Sequence, residues 1–353
     1  MVANNSFSRS SFLKVSLAAL GTIAAGPKYL ALPDFEEALS YYGLGRITKD
    51  RINIYQEADF SSQVEGKYTR DMLVNLHEQI LSVHGPERNP RWYRTDKGYI
   101  HSAYVQRVEN QHYNLVPKAL NDKKNLGEIT VAYTQAMGRD REGAWYPLYR
   151  LYYRSNHWIT DLIEGPDGKP WYQIKDDRLF VHYYVPAQTI RLYPSEIFQP
   201  LYSHIPLLDK RIEISISEQR LTAYHSNETI REMKISSGLP NKNPSPNNVP
   251  TETPVGSYHV SVKWPVRHMG NGYLTNDLEA YELPGVPWSM FFHESGYALH
   301  GAFWHDNFGY RMSHGCVNLL PHDAQWLFQW TDPVYSPGSW FTRGKGTLVL
   351  IQD

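Results

Sequence analysis

Apolar and polar side chains alternate in short runs from residue 45 onward. Gly45-Arg46-Ile47, Ile52-Asn53-Ile54-Tyr55, 64–68 and 73–76 change character at each step, the period of a strand with one face in a core. Trp92-Tyr93-Arg94-Thr95, a turn at Gly98 and an aromatic strand over 99–105 close this first group. A second group follows at 129–133, 148–153, 157–160, 171–174 and 183–186. Trp-Tyr recurs at 92–93 and 171–172, each time ahead of a turn and an aromatic strand, which suggests a diverged second copy of one small barrel. Pro194, Pro200 and Pro206 mark 194–206 as a linker. Beyond it, 211–216, 221–225 and 230–236 form an alternating meander, and the Asn- and Pro-rich stretch 241–250 reads as a surface loop. Residues 264–288 carry many aromatics and few regular signals. Strands are expected at 289–292, 297–300 and 347–351, with His300 at a strand end. One short helix is predicted over 321–330, from Ala324, Leu327 and Phe328, stopping before Pro333. The expected fold class is mainly β.

A length of 353 residues implies two or three domains, and 41% hydrophobic with 20% charged residues is a folded, globular composition. The net charge of −1 gives no field for nucleic acid or an acidic membrane surface. The many aromatic strand residues are read as core rather than as sugar platforms. At the N-terminus, Arg9 and Lys14 precede a short run of small and apolar residues over 15–25, the pattern of an export signal or N-terminal anchor within 1–30. Residues 8–14 are similar to a twin-arginine signal, with Ser10 where the second arginine would stand. The expected location is therefore exported, in the cell envelope or outside it, with membrane anchoring an open alternative. There, a chain with one cysteine can form no internal disulfide, and its thiol calls for another use.

That cysteine is Cys316, in the run Ser313-His314-Gly315-Cys316-Val317-Asn318, with His300-Gly301 upstream. Thiol chemistry needs a thiolate, and an ordinary cysteine near ~8.5 needs a neighbouring base to supply one at neutral pH. His314 is two residues away, while His300 can reach the sulfur only if the chain folds back, the layout of a nucleophile-base pair. The competing uses of a lone cysteine are burial as a small hydrophobe and metal binding. Small polar neighbours make poor core. His293, His300, His305, His314 and Cys316 crowd together, but the paired, regularly spaced ligands of a structural zinc site are missing. No metal and no cofactor are expected.

The segment resembles the L,D-transpeptidase catalytic motif, whose fixed positions are filled here by His300, Gly301, Ser313, His314, Gly315, Cys316 and Asn318. The resemblance extends over 210–353, and Thr251-Glu252-Thr253-Pro254-Val255-Gly256-Ser257-Tyr258 is similar to a further segment of that family, in the correct order. It implies a β-sandwich catalytic domain over 207–353. Residues 44–108 resemble a bacterial Src-homology-3-like barrel, so the expected organisation is 1–30 signal or anchor, 40–108 first barrel, 109–200 second β-rich unit and candidate for the same barrel, then the catalytic domain. The implied activity is acyl transfer on peptidoglycan stem peptides to an amine acceptor, with Cys316 as nucleophile, His300 as base oriented by a carbonyl at Gly301, and His314 as a supporting group. Gly315 and Cys316 would offer oxyanion donors. Ser313 and Asn318 would hold the loop, and Asn318, Arg311, Tyr273 and Met290 would meet substrate, with 264–288 as a lid. A hydrolase using the same thioester, of L,D-carboxypeptidase type, and a noncatalytic cell-wall-binding protein are the alternatives.

Overall fold

The computed structural model describes residues 43–240, 249–278 and 280–353. The expected export signal and most of the 241–250 loop lie outside the described residues. Among the described residues the chain is mainly β, with a single α-helix of ten residues, Pro321–Trp330, and no helix long and apolar enough to cross a membrane.

The first unit pairs Gly43–Ile47 with Leu73–Leu76 and Val105–Val108, beside a five-stranded sheet that includes Arg51–Tyr55 and Arg91–Thr95. Ile47, Ile54, Tyr93, Ile100 and Val105 fill its core. The aromatic strand expected over 99–105 is broken. Gly98–His101 is followed by a 3-10 turn at Ser102–Tyr104, whose Ala103 N–H is accepted by His101. The second unit is a seven-stranded antiparallel sheet around Ile129, Leu151, Ile159, Tyr172 and Val185. There the run 129–133 is a corner, not a strand. Asn125–Ile129 ends as Thr130 bonds His112 O, and Tyr133–Arg139 begins after buried Val131 and Ala132.

The third unit is a ten-stranded sheet. The meander Lys210–Ser215, Arg220–His225 and Glu228–Ser236 continues through Val317–Leu319 and Ala298–Gly301 to the long hairpin Val262–Gly270 and Glu282–Phe291. This hairpin occupies most of the stretch that showed few regular signals. Pro265, Pro284 and Pro287 and a bulge between Arg267 and Met269 interrupt its alternation without breaking the pairing. The helix packs beneath, through Ala324, Leu327 and Phe328.

The three units share surface. Leu126 and Trp158 of the second unit, and Ile197 from the stretch expected as a linker, belong to the same apolar cluster as Ile212, Ile214, Trp288 and Phe328. Residues 194–206 are thus a packed connection carrying three of its side chains, Ile197, Phe198 and Leu201, against that cluster. Their apolar side chains explain it: a proline-rich segment can follow a surface while its isoleucine and leucine bury.

Candidate active site

Two strands carry the candidate residues. Ala298–Gly301 and Val317–Leu319 pair in parallel, with Leu299 opposite Val317 and His300 opposite Asn318. Extending that register one step back places Cys316 opposite Ala298. Residues two apart share a sheet face, so Cys316 and His300 stand on the same face of neighbouring strands. Both line a cleft of about 390 Å³, together with His314, Ser313 and Asn318.

His300 is buried, and burial pushes its imidazole down to about 4 despite an opposing hydrogen bond to its neighbour's carbonyl. Its Nδ1 lies 3.1 Å from Gly301 O. With Nδ1 donating, Nε2 is the nitrogen left to accept a proton. The Cys316 thiol is pushed up to about 11 by burial, only partly offset by a backbone hydrogen bond from Ala298. Its Sγ donates weakly to Gly296 O at 4.0 Å. Burial thus favours a neutral thiol and a neutral imidazole in this pair at neutral pH. His314 is exposed at the mouth, its ring 6.2 Å from that of Tyr281.

The turn before the cysteine is tightly specified. Ser313 Oγ donates to Cys316 O, and Gly315 N–H donates back to Ser313 Oγ at 3.2 Å. Gly315 has φ +107°, and a Cβ there would lie 2.3 Å from Tyr297 Cε1. Only glycine fits. Thr253 Oγ1 donates to Gly315 O at 3.0 Å and accepts from Gly238 N–H at 2.8 Å, which gives the 251–258 segment a role in holding this turn. A Cβ on Gly301 would meet Pro287 Cγ at 2.8 Å and Pro321 Cα at 3.0 Å, so that glycine serves packing.

Three residues expected at the substrate lie away from the cleft. Met290 is fully buried in the apolar cluster. Arg311 pairs with Asp353 at 3.1 Å on the surface. The Tyr273 side chain is 66% exposed, while its backbone is bound by Glu282 and Tyr149. In each case the strand position or loop was legible but the direction of the side chain was not. Asn318 does line the cleft and bonds His305 Nε2 at 2.8 Å.

Other lining residues gave no signal in sequence. Arg46 of the first unit and Arg150 of the second share Asp71, at 2.7 and 2.5 Å, and both line the cleft. Arg46 also lies 3.9 Å over the Tyr152 ring. On the hairpin side, His268 lies between Asp176 Oδ2 at 2.7 Å and Glu282 Oε2 at 2.8 Å, and Glu282 in turn accepts from Gly272 and Tyr273 N–H. This buried cluster holds Gly272 and Tyr273, just ahead of residues 275–278 that line the cleft. The two carboxylates raise the His268 imidazole against its desolvation. Among the described residues no three His, Cys, Asp or Glu side chains are grouped to hold a metal ion.

Comparison with known proteins bears on the third unit. The family model of the L,D-transpeptidase catalytic domain, YkuD, matches residues 209–351. L,D-transpeptidase 1 of Mycobacterium tuberculosis is 34% identical over 127 residues, 32% of this chain and 43% of that protein. The alignment thus spans less than half the length of this curated relative. Among solved structures, an L,D-transpeptidase from Xylanimonas cellulosilytica is 26% identical over 40% of this chain and 60% of its own, with a TM-score of 0.30. An L,D-transpeptidase from Mycobacterium smegmatis is 18% identical over 52% and 90%, with a TM-score of 0.32. The family match encloses the two strands and the turn that hold His300 and Cys316, and residues 209–351 are similar to the L,D-transpeptidase catalytic domain family.

Proposed function

We propose that this chain is an exported peptidoglycan L,D-transpeptidase that works through a Cys316 thioester. The single observation that carries this reading is the register of the two parallel strands, which puts the cysteine and a buried, neutral histidine on one face of one cleft inside the family's catalytic domain. In the first step Cys316 Sγ attacks the carbonyl between the third stem residue, an L centre, and D-alanine. His300 takes the thiol proton and passes it to the departing amine, so D-alanine leaves and a thioester remains. In the second step an acceptor amine attacks the thioester, loses its proton to His300, and the thiol is restored. A neutral thiol suits a step in which proton removal and attack occur together, since no charge is buried before substrate arrives. The Cys316 N–H is the proposed oxyanion donor, with that of Gly315 joining once it turns from the Ser313 hydroxyl.

His314, exposed beside Tyr281, fits positioning of substrate better than proton transfer. The first two units are read as Src-homology-3-like modules that also contact the cell wall, and the N-terminal segment as the signal or anchor. The test is incubation with a defined disaccharide-tetrapeptide, with and without an added amine, followed by mass spectrometry of products. Transfer predicts an amide of the added amine and D-alanine release. Tripeptide alone, at every amine concentration, favours the hydrolase instead. His300→Ala is expected to suppress acylation nearly as fully as Cys316→Ala, and His314→Ala to leave slower, measurable acylation.

A further inference from the structure

Between Gly301 and Ser313 the chain has no strand or helix of its own, yet Ala302, Phe303, His305, Asp306, Asn307 and Phe308 are all buried. Buried backbone and polar groups need partners. This loop draws them from the first β unit, 199 to 218 residues earlier in the chain. Arg91 donates to Asp306 O at 3.0 Å and to Phe308 O at 3.2 Å. The Tyr93 hydroxyl donates to Asp306 Oδ2 at 2.8 Å, and Arg107 Nε lies 2.5 Å from the same oxygen, an ion pair off the hydrogen-bond direction. Asn307 Oδ1 accepts from Asn89 at 2.9 Å and Ser102 at 2.8 Å.

From there the contacts run toward the reacting groups. Asn307 N–H donates to His305 Nδ1 at 3.1 Å, and His305 Nε2 meets Asn318 Nδ2 at 2.8 Å, on the strand that follows Cys316. Asn307 Nδ2 also donates to Met312 Sδ at 2.7 Å, at the cleft wall. The Trp304 ring lies 5.7 Å from that of His300 and 6.1 Å from that of His305.

We propose that the first β unit is a positioning part of the catalytic site: Arg91, Tyr93 and Arg107 clamp the turn at Asp306, and through His305 and Asn318 this clamp holds the Cys316 strand beside His300. The unit's contribution to turnover is then distinct from any hold on the cell wall, which would require none of these buried contacts. The inference rests on Cys316 and His300 being the reacting pair, as proposed above.

If the clamp keeps the pair packed and dry, loosening it has two effects of opposite sign. Water enters, so the Cys316 thiol drops toward its ordinary range and reacts faster with a small neutral reagent. Meanwhile the pair is held less well, so acylation by substrate slows. The titratable groups that interact with the Cys316 thiol are Tyr281 and Tyr297, His305 interacts with His300, and His314 shares the cleft with both. None of them is altered by the test variants.

The experiment uses the full chain with Tyr93→Phe, Arg107→Gln and Arg107→Lys, with iodoacetamide alkylation of Cys316 followed from pH 6 to 10 by mass spectrometry. Tyr93→Phe keeps the ring that fills the first unit's core and guards against the misfolding that Arg107→Gln could bring. Expected are alkylation about three- to tenfold faster at pH 8 in Tyr93→Phe and Arg107→Gln, since each unit by which the thiol pKa falls raises its ionised fraction about tenfold and lowers its nucleophilicity about threefold, and near-normal alkylation in Arg107→Lys, which keeps the charge. With the disaccharide-tetrapeptide, the limiting acylation rate should fall about tenfold with half-saturation unchanged. Alkylation profiles identical to the parent chain in folded Tyr93→Phe and Arg107→Gln overturn the clamp. Absence of acylation in the parent chain itself counts against the proposed function, while the alkylation arm still decides the clamp.

Discussion

The state of the resting thiol is open to direct measurement. With Cys316 pushed up to about 11, the ionised fraction at pH 7 is ~10⁻⁴, against about 3% for an ordinary cysteine near ~8.5. A less acidic thiol gives a stronger nucleophile, by roughly 0.4–0.5 log units per unit of pKa, which returns about tenfold. The net expectation is alkylation by iodoacetamide about 20- to 30-fold slower than for free cysteine at pH 7. Its rate should then rise about tenfold per pH unit up to pH 10. His300, pushed down to about 4, is already neutral across this range and forms no ion pair with the thiol at rest. His300→Ala should therefore leave alkylation unchanged within about threefold, while acylation by substrate falls ~10²–10⁴-fold, the range of general-base assistance. Rates can be followed by intact-protein mass spectrometry, with circular dichroism verifying the fold. A reactive plateau beginning near pH 6 to 7 and abolished by His300→Ala would falsify this reasoning, because it would mean a preformed thiolate-imidazolium pair.

Other perturbations test the surrounding structure. Gly315→Ala places a Cβ 2.3 Å from Tyr297 Cε1 at φ +107°, so acylation should be lost while most of the melting transition is retained; full activity would show that the turn can relax. Trp158→Ala removes a fully buried ring that the second unit lends to the catalytic core, and should cost about 3–5 kcal/mol in a denaturant titration. A cost below about 1 kcal/mol would mean that the units do not share a core. Lys263 is buried, donates to Phe328 O and Thr331 O, and is pushed down to about 7 by desolvation. The unfolded chain then binds the extra proton between about pH 7 and 10, so this residue makes stability rise with pH over that window. Lys263→Met should flatten that rise in melting temperature.

Much of this fold could be read from alternation alone. The meander at 210–236 and the helix at 321–330 were legible because one face of each is apolar at the proper period. The hairpin Val262–Gly270 with Glu282–Phe291 was not, since prolines and a bulge disturb the period while hydrogen bonding persists. The Cys316 turn was legible because its residues lie within a few positions and each has a steric or chemical reason to be there. Arg46, Arg150 and Asp306 were not. Their partners are remote, as in the Tyr93–Asp306 bond that joins residues 213 apart, and no local pattern records such a contact. Side-chain direction was equally hidden. Met290 occupies a strand beside the site, but its strand face turns it into the core.

The most direct measurement is the mass of the protein after brief exposure to a defined disaccharide-tetrapeptide. An adduct equal to the substrate less one D-alanine is expected, mapped by peptide fragmentation to Cys316. The adduct should be chased away by an amine and be absent in Cys316→Ala. Release of D-alanine by Cys316→Ala at the parent rate, or an adduct mapped to any other residue, would contradict the Cys316 thioester.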